Sequence, residues 1–167
     1  MYICMKTLLI LRHAKSSWKH PELSDHDRPL NKRGKHDAPL MGQLFKEKKI
    51  LPDLIISSTA TRAKDTALAV AEGVGYNKEI IFDSTLYAAN PDAYIKAISN
   101  VSDNDKDYST ILVIGHNPGL EELIEVLTGG MHELATCELA VIEMPTKKWS
   151  NLNTRQGKLI EWIRVKH

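Results

Sequence analysis

Everything in this chain can be placed relative to the stretch Leu8-Leu9-Ile10-Leu11-Arg12-His13-Ala14-Lys15-Ser16-Ser17-Trp18. An unbroken run of leucine and isoleucine stops abruptly at an arginine and a histidine. So short an apolar run predicts a strand, about Lys6–Leu11, buried on both faces of a parallel sheet. Open parallel sheets bind ligands beyond the carboxyl ends of their strands, and Arg12 and His13 stand at such an end. Neither is buried there cheaply without a partner. Taken alone, the pair also fits an ordinary polar strand end that meets solvent. The segments further along decide between the two.

Lys15 to Asn31 is polar and rich in Ser, His, Asp and Pro, a long connection of the kind that is often functional. Asn31 is suited to cap a helix running to about Lys49, with Leu40, Met41, Leu44 and Phe45 on one apolar face. Pro39 either kinks this helix or marks its true first turn. Asp53-Leu54-Ile55-Ile56-Ser57 predicts a second buried strand. Ser58-Thr59-Ala60-Thr61-Arg62 follows and offers cap residues for a helix with Ala63, Ala67, Val70 and Ala71 inside, which Gly73 or Gly75 can end. Ile80–Asp83 predicts a further short strand, Pro91 a helix ending near Val101, and Ser102–Asp107 a polar surface loop.

Thr110-Ile111-Leu112-Val113-Ile114-Gly115 predicts the third clear buried strand. His116-Asn117-Pro118-Gly119 comes directly after it, with Asn117 as helix cap and Pro118 as first helical residue. Leu120, Leu123, Ile124 and Leu127 make one stripe of that helix, and Gly129-Gly130 stops it. Strands near Glu138–Met144 and Lys158–Val165 flank polar Thr146–Gly157 and predict a hairpin. Strands alternating with helices predict a single α/β domain over residues 1–167, mostly parallel, with antiparallel pairing at one edge.

The chain has 167 residues, 43% hydrophobic and 26% charged, enough for a sizeable core. A net charge of +1 gives no electrostatic ground for a nucleic-acid or membrane partner. An anion site must therefore be a local cluster. Leu8–Leu11 is too short for the apolar core of a signal peptide, and no run is long enough to span a bilayer. Cys4 and Cys137 lie far apart and read as free thiols of a cytoplasmic protein. His20, His36, His132 and His167 have no partners at metal-ligand spacing, so neither metal nor cofactor is expected. Nothing in the pattern specifies an oligomeric state.

In a parallel sheet the ends of the three buried strands lie side by side. Arg12-His13, Ser58 to Arg62, and Gly115-His116 then meet at one edge. Two arginines, two histidines and the amides of two helix starts compose an anion pocket. Guanidinium groups fit a phosphoryl group bidentately, which lysine does not.

Leu11-Arg12-His13-Ala14, Ser58 with Arg62-Ala63-Lys64-Asp65-Thr66-Ala67, and Gly115-His116-Asn117-Pro118 span nearly the whole chain. In this order and spacing they resemble the histidine phosphatase superfamily, also called phosphoglycerate mutase-like. The Arg-His pair is weak alone; the three pieces together are specific. The compact length and the Arg-His-Ala-Lys-Ser opening resemble the short branch typified by the SixA phosphohistidine phosphatase. The resemblance implies a three-layer αβα fold with a mostly parallel central sheet, and a metal-independent phosphatase. His13 is then the nucleophile. It attacks as a neutral imidazole and forms a phosphohistidine that water later hydrolyses, and its second ring nitrogen needs a fixed acceptor.

Arg12, Arg62 and His116 would hold the phosphoryl oxygens, His116 in its protonated form, with Ser16 and Thr66 as secondary donors. Lys15 and Lys19 read as a solvated rim. Asp25, His26, Asp27 and Arg28 either contact substrate or are plain surface. Family members commonly carry glycine where Ala14 stands, so the backbone there must suit alanine. Many also carry a glutamate after the third strand as general acid, and Leu86-Tyr87-Ala88-Ala89-Asn90-Pro91-Asp92 lacks it. An imidazole leaves more readily than an alkoxide, which tilts the substrate toward the phosphohistidine of a protein. Asp25, Asp27 or Asp92 are the substitutes if an acid is needed. The alternatives are a small-molecule phosphomonoesterase and a non-catalytic module that senses a phosphorylated partner, which would have no use for a nucleophile at His13.

Overall fold

In chain order the elements are β1 (Lys6–Arg12), α1 (Lys32–Glu47), β2 (Leu54–Ser58), α2 (Thr61–Val74), β3 (Ile80–Asp83), α3 (Pro91–Ser99), β4 (Thr110–Gly115), α4 (Gly119–Thr128), β5 (Leu139–Met144) and β6 (Lys158–Ile163). Single 3-10 turns occur at Asp25–Asp27, Ser84–Leu86 and Trp149–Asn151. The structure is a computed structural model that describes residues 4–101, 108–152 and 154–167. The loop expected at Ser102–Asp107 lies outside the described residues.

The strands form one six-stranded sheet in the order β3-β2-β4-β1-β5-β6. The first four run parallel, and β5 is antiparallel to both its neighbours. Alternate residues of β1 serve opposite faces. Leu9 and Leu11 pack with Met41 and Phe45 of α1 and Ala67 and Val70 of α2. Leu8 and Ile10 pack with Tyr94 and Ile98 of α3 and Leu120, Ile124 and Leu127 of α4. The expected αβα sandwich is thus the arrangement adopted, with antiparallel pairing at one side. Among the described residues no helix is long and apolar enough to cross a membrane.

Local chemistry sets most boundaries. The Asn31 side chain accepts from Gly34 N–H at 2.8 Å and caps α1. The helix begins at Lys32, so Pro39 lies in its interior and is not its first turn. α2 begins without a side-chain cap. The Ser58 hydroxyl instead accepts from Ala60 N–H at 3.2 Å, and the Thr59 hydroxyl meets His26 at 2.9 Å. Gly75, left-handed at φ 78°, ends α2, and Gly73 stays inside it. α4 starts at Gly119, one residue later than expected, because Asn117 does not cap it: its Nδ2 donates to the Leu134 carbonyl at 2.7 Å.

Gly73 has a packing role. A Cβ on Gly42 of α1 would stand 2.9 Å from Gly73 Cα and 2.9 Å from the Val70 carbonyl. The two helices therefore touch backbone to backbone. Gly42→Ala gains about 1 kcal/mol of helix propensity but meets an overpacking cost of roughly 1–3 kcal/mol. Net destabilisation is expected in urea unfolding; a midpoint at or above wild type would show that the helices can separate freely.

Candidate active site

Register brings the three strand ends to one level. Arg12 pairs with Gly115 across β1 and β4, and Ser57 with Ile114 across β2 and β4, so Ser58 is level with Gly115. The chain leaving β1 is then pinned by its backbone. His13 N–H donates to the Gly115 carbonyl at 3.1 Å, Ala14 N–H to the Thr66 hydroxyl at 3.0 Å, and Cys137 N–H to the Arg12 and His13 carbonyls at 3.1 Å each. Ala14 is fully buried and is not among the residues with positive φ, so alanine is accommodated there. α2 delivers Arg62 in its first turn, and β4 delivers His116.

These side chains line a cavity of about 320 Å³, whose wall includes Arg12, His13, Ser16, Arg28, Arg62 and His116. A larger groove of about 730 Å³ between α1 and β6 shares no residue with it and has none of this chemistry. His13 Nδ1 contacts the Ala14 carbonyl at 2.7 Å. A carbonyl only accepts, so Nδ1 carries the proton and Nε2 keeps its lone pair. Arg62 Nε–H points at that Nε2 from 3.4 Å. The His13 and His116 rings lie 5.1 Å apart, and His116 Nε2 meets the Ser58 hydroxyl at 2.8 Å. Arg12 Nη1 donates to the Leu134 carbonyl at 3.1 Å. Arg12 Nε, His116 Nδ1 and Asn117 Oδ1 are buried without hydrogen-bond partners, and all three belong to residues that line the cavity. Such atoms are rare in folded proteins.

Burial pushes the His13 imidazole down to about 3; the Ala14 carbonyl opposes this, and His116, Arg62 and Arg12 add to it. Burial pushes His116 down to about 4, with Arg62 adding and Asp25 opposing. Both rings are held neutral. The protonated form expected of His116 with a phosphoryl group in place requires that dianion beside it to draw a proton onto the ring.

The other expected residues divide. Ser16 does reach the cavity, but its hydroxyl is taken by Arg28 Nη2. Thr66 is no substrate donor: fully buried, it donates to the Arg62 carbonyl at 2.7 Å and accepts from Ala14 N–H. Asp27 is exposed beside His26, and Asp92 is exposed in the first turn of α3. Asp25 is at the site, bonded to Arg62, Arg28 and Tyr87. Both Nη atoms of Arg62 are engaged by Asp25, so the expected fork toward a phosphoryl group is used elsewhere, and Nε is the atom aimed at His13. Sequence reasoning left Arg28 open between substrate contact and plain surface, and the cavity wall includes it; Tyr87 was missed, since nothing in its loop sets it apart.

Outside this site, His36 and His167 do find a partner. Their ring nitrogens and an Asp37 carboxylate oxygen lie within 4.8 Å of one another, contrary to expectation. His167 Nε2 is 2.8 Å and His36 Nδ1 3.1 Å from Asp37 Oδ1, and Arg33 Nε is 3.4 Å from Oδ2. Burial alone would raise the Asp37 carboxyl, but these hydrogen bonds hold it below its usual range.

The two neutral imidazoles make acid destabilising. Between 6.5, the ordinary value, and about 3 to 4, the unfolded chain binds protons at His13 and His116 that the folded chain refuses. Stability contributed by the neutral rings is present above pH 6.5 and is lost as pH falls toward 4. His116→Gln should flatten that slope in unfolding midpoints measured from pH 7.5 to 4; a slope parallel to wild type would contradict it.

The model of the histidine phosphatase superfamily (branch 1) matches residues 8–90 of this chain. An uncharacterized chloroplastic protein of Arabidopsis thaliana is 36% identical over 158 residues, covering 91% of this chain and 72% of the relative. A protein provisionally named phosphohistidine phosphatase SixA, from Agrobacterium tumefaciens, superposes with a TM-score of 0.82 at 27% identity, over 96% of this chain and 98% of that one. The protein histidine phosphatase SixA complexed with tungstate shares the fold, with a TM-score of 0.80 at 19% identity over 94% and 96% of the two chains. With the strand-end arginines and histidines gathered around one cavity, these likenesses mean that the chain belongs to the histidine phosphatase superfamily, in its SixA-like branch, and is a phosphatase.

Proposed function

We propose that this phosphatase acts on the phosphohistidine of a protein through a covalent phosphoryl intermediate on His13, with no metal ion. The observation that carries this is the orientation of the His13 ring. Nδ1–H is committed to the Ala14 carbonyl at 2.7 Å, which leaves Nε2 as a neutral nucleophile facing Arg62 Nε. Nε2 forms a bond to phosphorus while the bond to the leaving nitrogen breaks, and that nitrogen takes the electron pair, so the substrate ring, protonated on its other nitrogen, departs as a neutral imidazole. Water oxygen then bonds to phosphorus, the P–Nε2 bond breaks and its pair returns to His13. Arg12, Arg62 and His116 stabilise the charge on the phosphoryl oxygens.

The leaving group decides between substrate classes. Asp25, the candidate acid bonded to Arg62 and Arg28, is held down at about 2, first by the Tyr87 hydroxyl and then by the two arginines. It has no proton to give at neutral pH. An alkoxide leaves poorly without a proton from the enzyme, whereas a phosphohistidine ring is near half-protonated at neutral pH and brings its own on the second nitrogen. Two structural relatives carry the phosphohistidine phosphatase name. We place the protein in the cytoplasm, where Cys4 and Cys137, both free, stay reduced.

Single turnover with a phosphohistidine peptide, quenched in alkaline denaturant because a phosphoramidate is acid-labile, should show phosphate on His13. His13→Ala should fold and lose both label and turnover. No label on active enzyme, or near wild-type turnover by His13→Ala, would refute the intermediate. Faster turnover of small phosphomonoesters than of the peptide would favour the small-molecule reading.

Arg62→Lys is expected to be damaging. A lysine cannot hold Asp25 by two contacts and also aim a donor at the phosphoryl group. Losing one such donor costs about 2–4 kcal/mol of transition-state stabilisation. Unchanged kcat/KM would remove Arg62 from the phosphoryl contacts.

A further inference from the structure

Three side chains from separate parts of the chain converge on one carboxylate. Arg28 Nη1 donates to Asp25 Oδ1 at 2.9 Å. Arg62 Nη2, from α2, donates to Oδ2 at 3.0 Å, and the Tyr87 hydroxyl donates to the same oxygen at 2.6 Å. Arg62 Nη1 also donates to the Asp25 carbonyl at 2.6 Å. The residue is presented by the 3-10 turn Asp25–Asp27, whose start is capped by the Ser24 side chain.

Two functions are open to a carboxylate in this position. It could fill the cavity as a stand-in anion that substrate must displace, or it could stand behind the arginines and aim them. The contacts decide. Arg28, Arg62 and His13 line the cavity, and the Asp25 carboxylate is bonded to an Nη atom of each arginine. The carboxylate therefore occupies the Nη side of Arg62, and the Nε–H remains directed at His13 Nε2. Arg28 is gripped in the same way: Nε by the Ser17 carbonyl at 3.1 Å, Nη2 by the Ser16 hydroxyl, and its face by the Trp18 ring at 3.4 Å. Tyr87 stands in the loop where an acid was sought, and its ring packs edge-on against His116 at 5.6 Å.

We propose that Asp25 is a positioning residue: it locks the guanidinium groups of Arg62 and Arg28 and, through Tyr87, the loop beside His116, so that Arg62 Nε meets the phosphoryl group as it transfers to His13. This rests on His13 as the phosphoryl acceptor and gives Asp25 no role as proton donor. The two arginines are long side chains with many rotamers. Ordering them before substrate arrives removes that cost from the transition state.

The test is a double-mutant cycle with Arg62, read by steady-state kinetics and by orthovanadate inhibition. Asp25→Ala should lower kcat by about tenfold to a hundredfold, the scale of a misplaced catalytic contact. KM should change by less than about threefold, because the lost interaction is made in the transition state. In the Arg62→Ala background the same substitution should change kcat by less than about twofold, since the two residues act as one unit. Vanadate inhibition should weaken more than inhibition by inorganic phosphate. Asp25→Glu should recover part of the loss, and the isosteric Asp25→Asn serves if the alanine variant does not fold. Losses that multiply across the cycle, or kcat within about twofold of wild type in Asp25→Ala, would overturn the proposal. His13→Ala run alongside reports on the nucleophile separately: if it stays active, that reading fails, while vanadate binding to wild type, Asp25→Ala and the double variant still decides the role of Asp25.

Discussion

The parallel pairing of β1 with β4 is the constraint on which the rest depends. It sets Arg12 opposite Gly115 and so places His13 and His116 as neighbours. The register is held by both faces of the sheet at once. Leu9 and Leu11 are committed to the layer of α1 and α2, and Leu8 and Ile10 to that of α3 and α4. A slip of one residue would exchange the faces and carry Arg12 away from Gly115. Every large side chain in β1 opposes that slip, so the core and the site are specified by the same contacts.

Much of this is legible in the sequence. Apolar runs that end in Arg-His or Gly-His mark strands and strand ends together, and Asn31 three residues before Gly34 marks a helix start. The less legible parts share a cause. An asparagine before Pro118 can cap a helix or reach a distant carbonyl, and adjacency alone does not say which; Asn117 reaches Leu134. A loop with Asp25, Asp27 and Arg28 looks like solvated surface because two of the groups that pair with Asp25 lie 37 and 62 positions away, at Arg62 and Tyr87. His167 and Asp37 are 130 positions apart. Side-chain pairing over such separations leaves no periodicity to read.

The site is also where the chain departs from what burial favours. Two imidazoles are kept neutral beside guanidinium groups, and three buried polar atoms of the lining residues lack partners. A core built only for stability would have filled these positions with apolar side chains. What the arrangement offers instead is a set of donors already oriented before charge arrives, which water could not supply without reorganising.

Tyr94 ties these regions together. Its hydroxyl accepts from His116 N–H at 3.1 Å and donates to the Leu86 carbonyl at 3.3 Å, and it occupies the space where a Cβ of residue 115 would stand. Any side chain at 115 would evict the hydroxyl and cut both bonds. Removing the hydroxyl alone would not admit a methyl group at 115, because that carbon would still stand 2.9 Å from two carbons of the Tyr94 ring. Positions 94 and 115 therefore form a single unit of inheritance: a descendant of this chain can carry a side chain at 115 only if the ring at 94 shifts or gives way to a smaller residue, and it surrenders both hydrogen bonds in doing so.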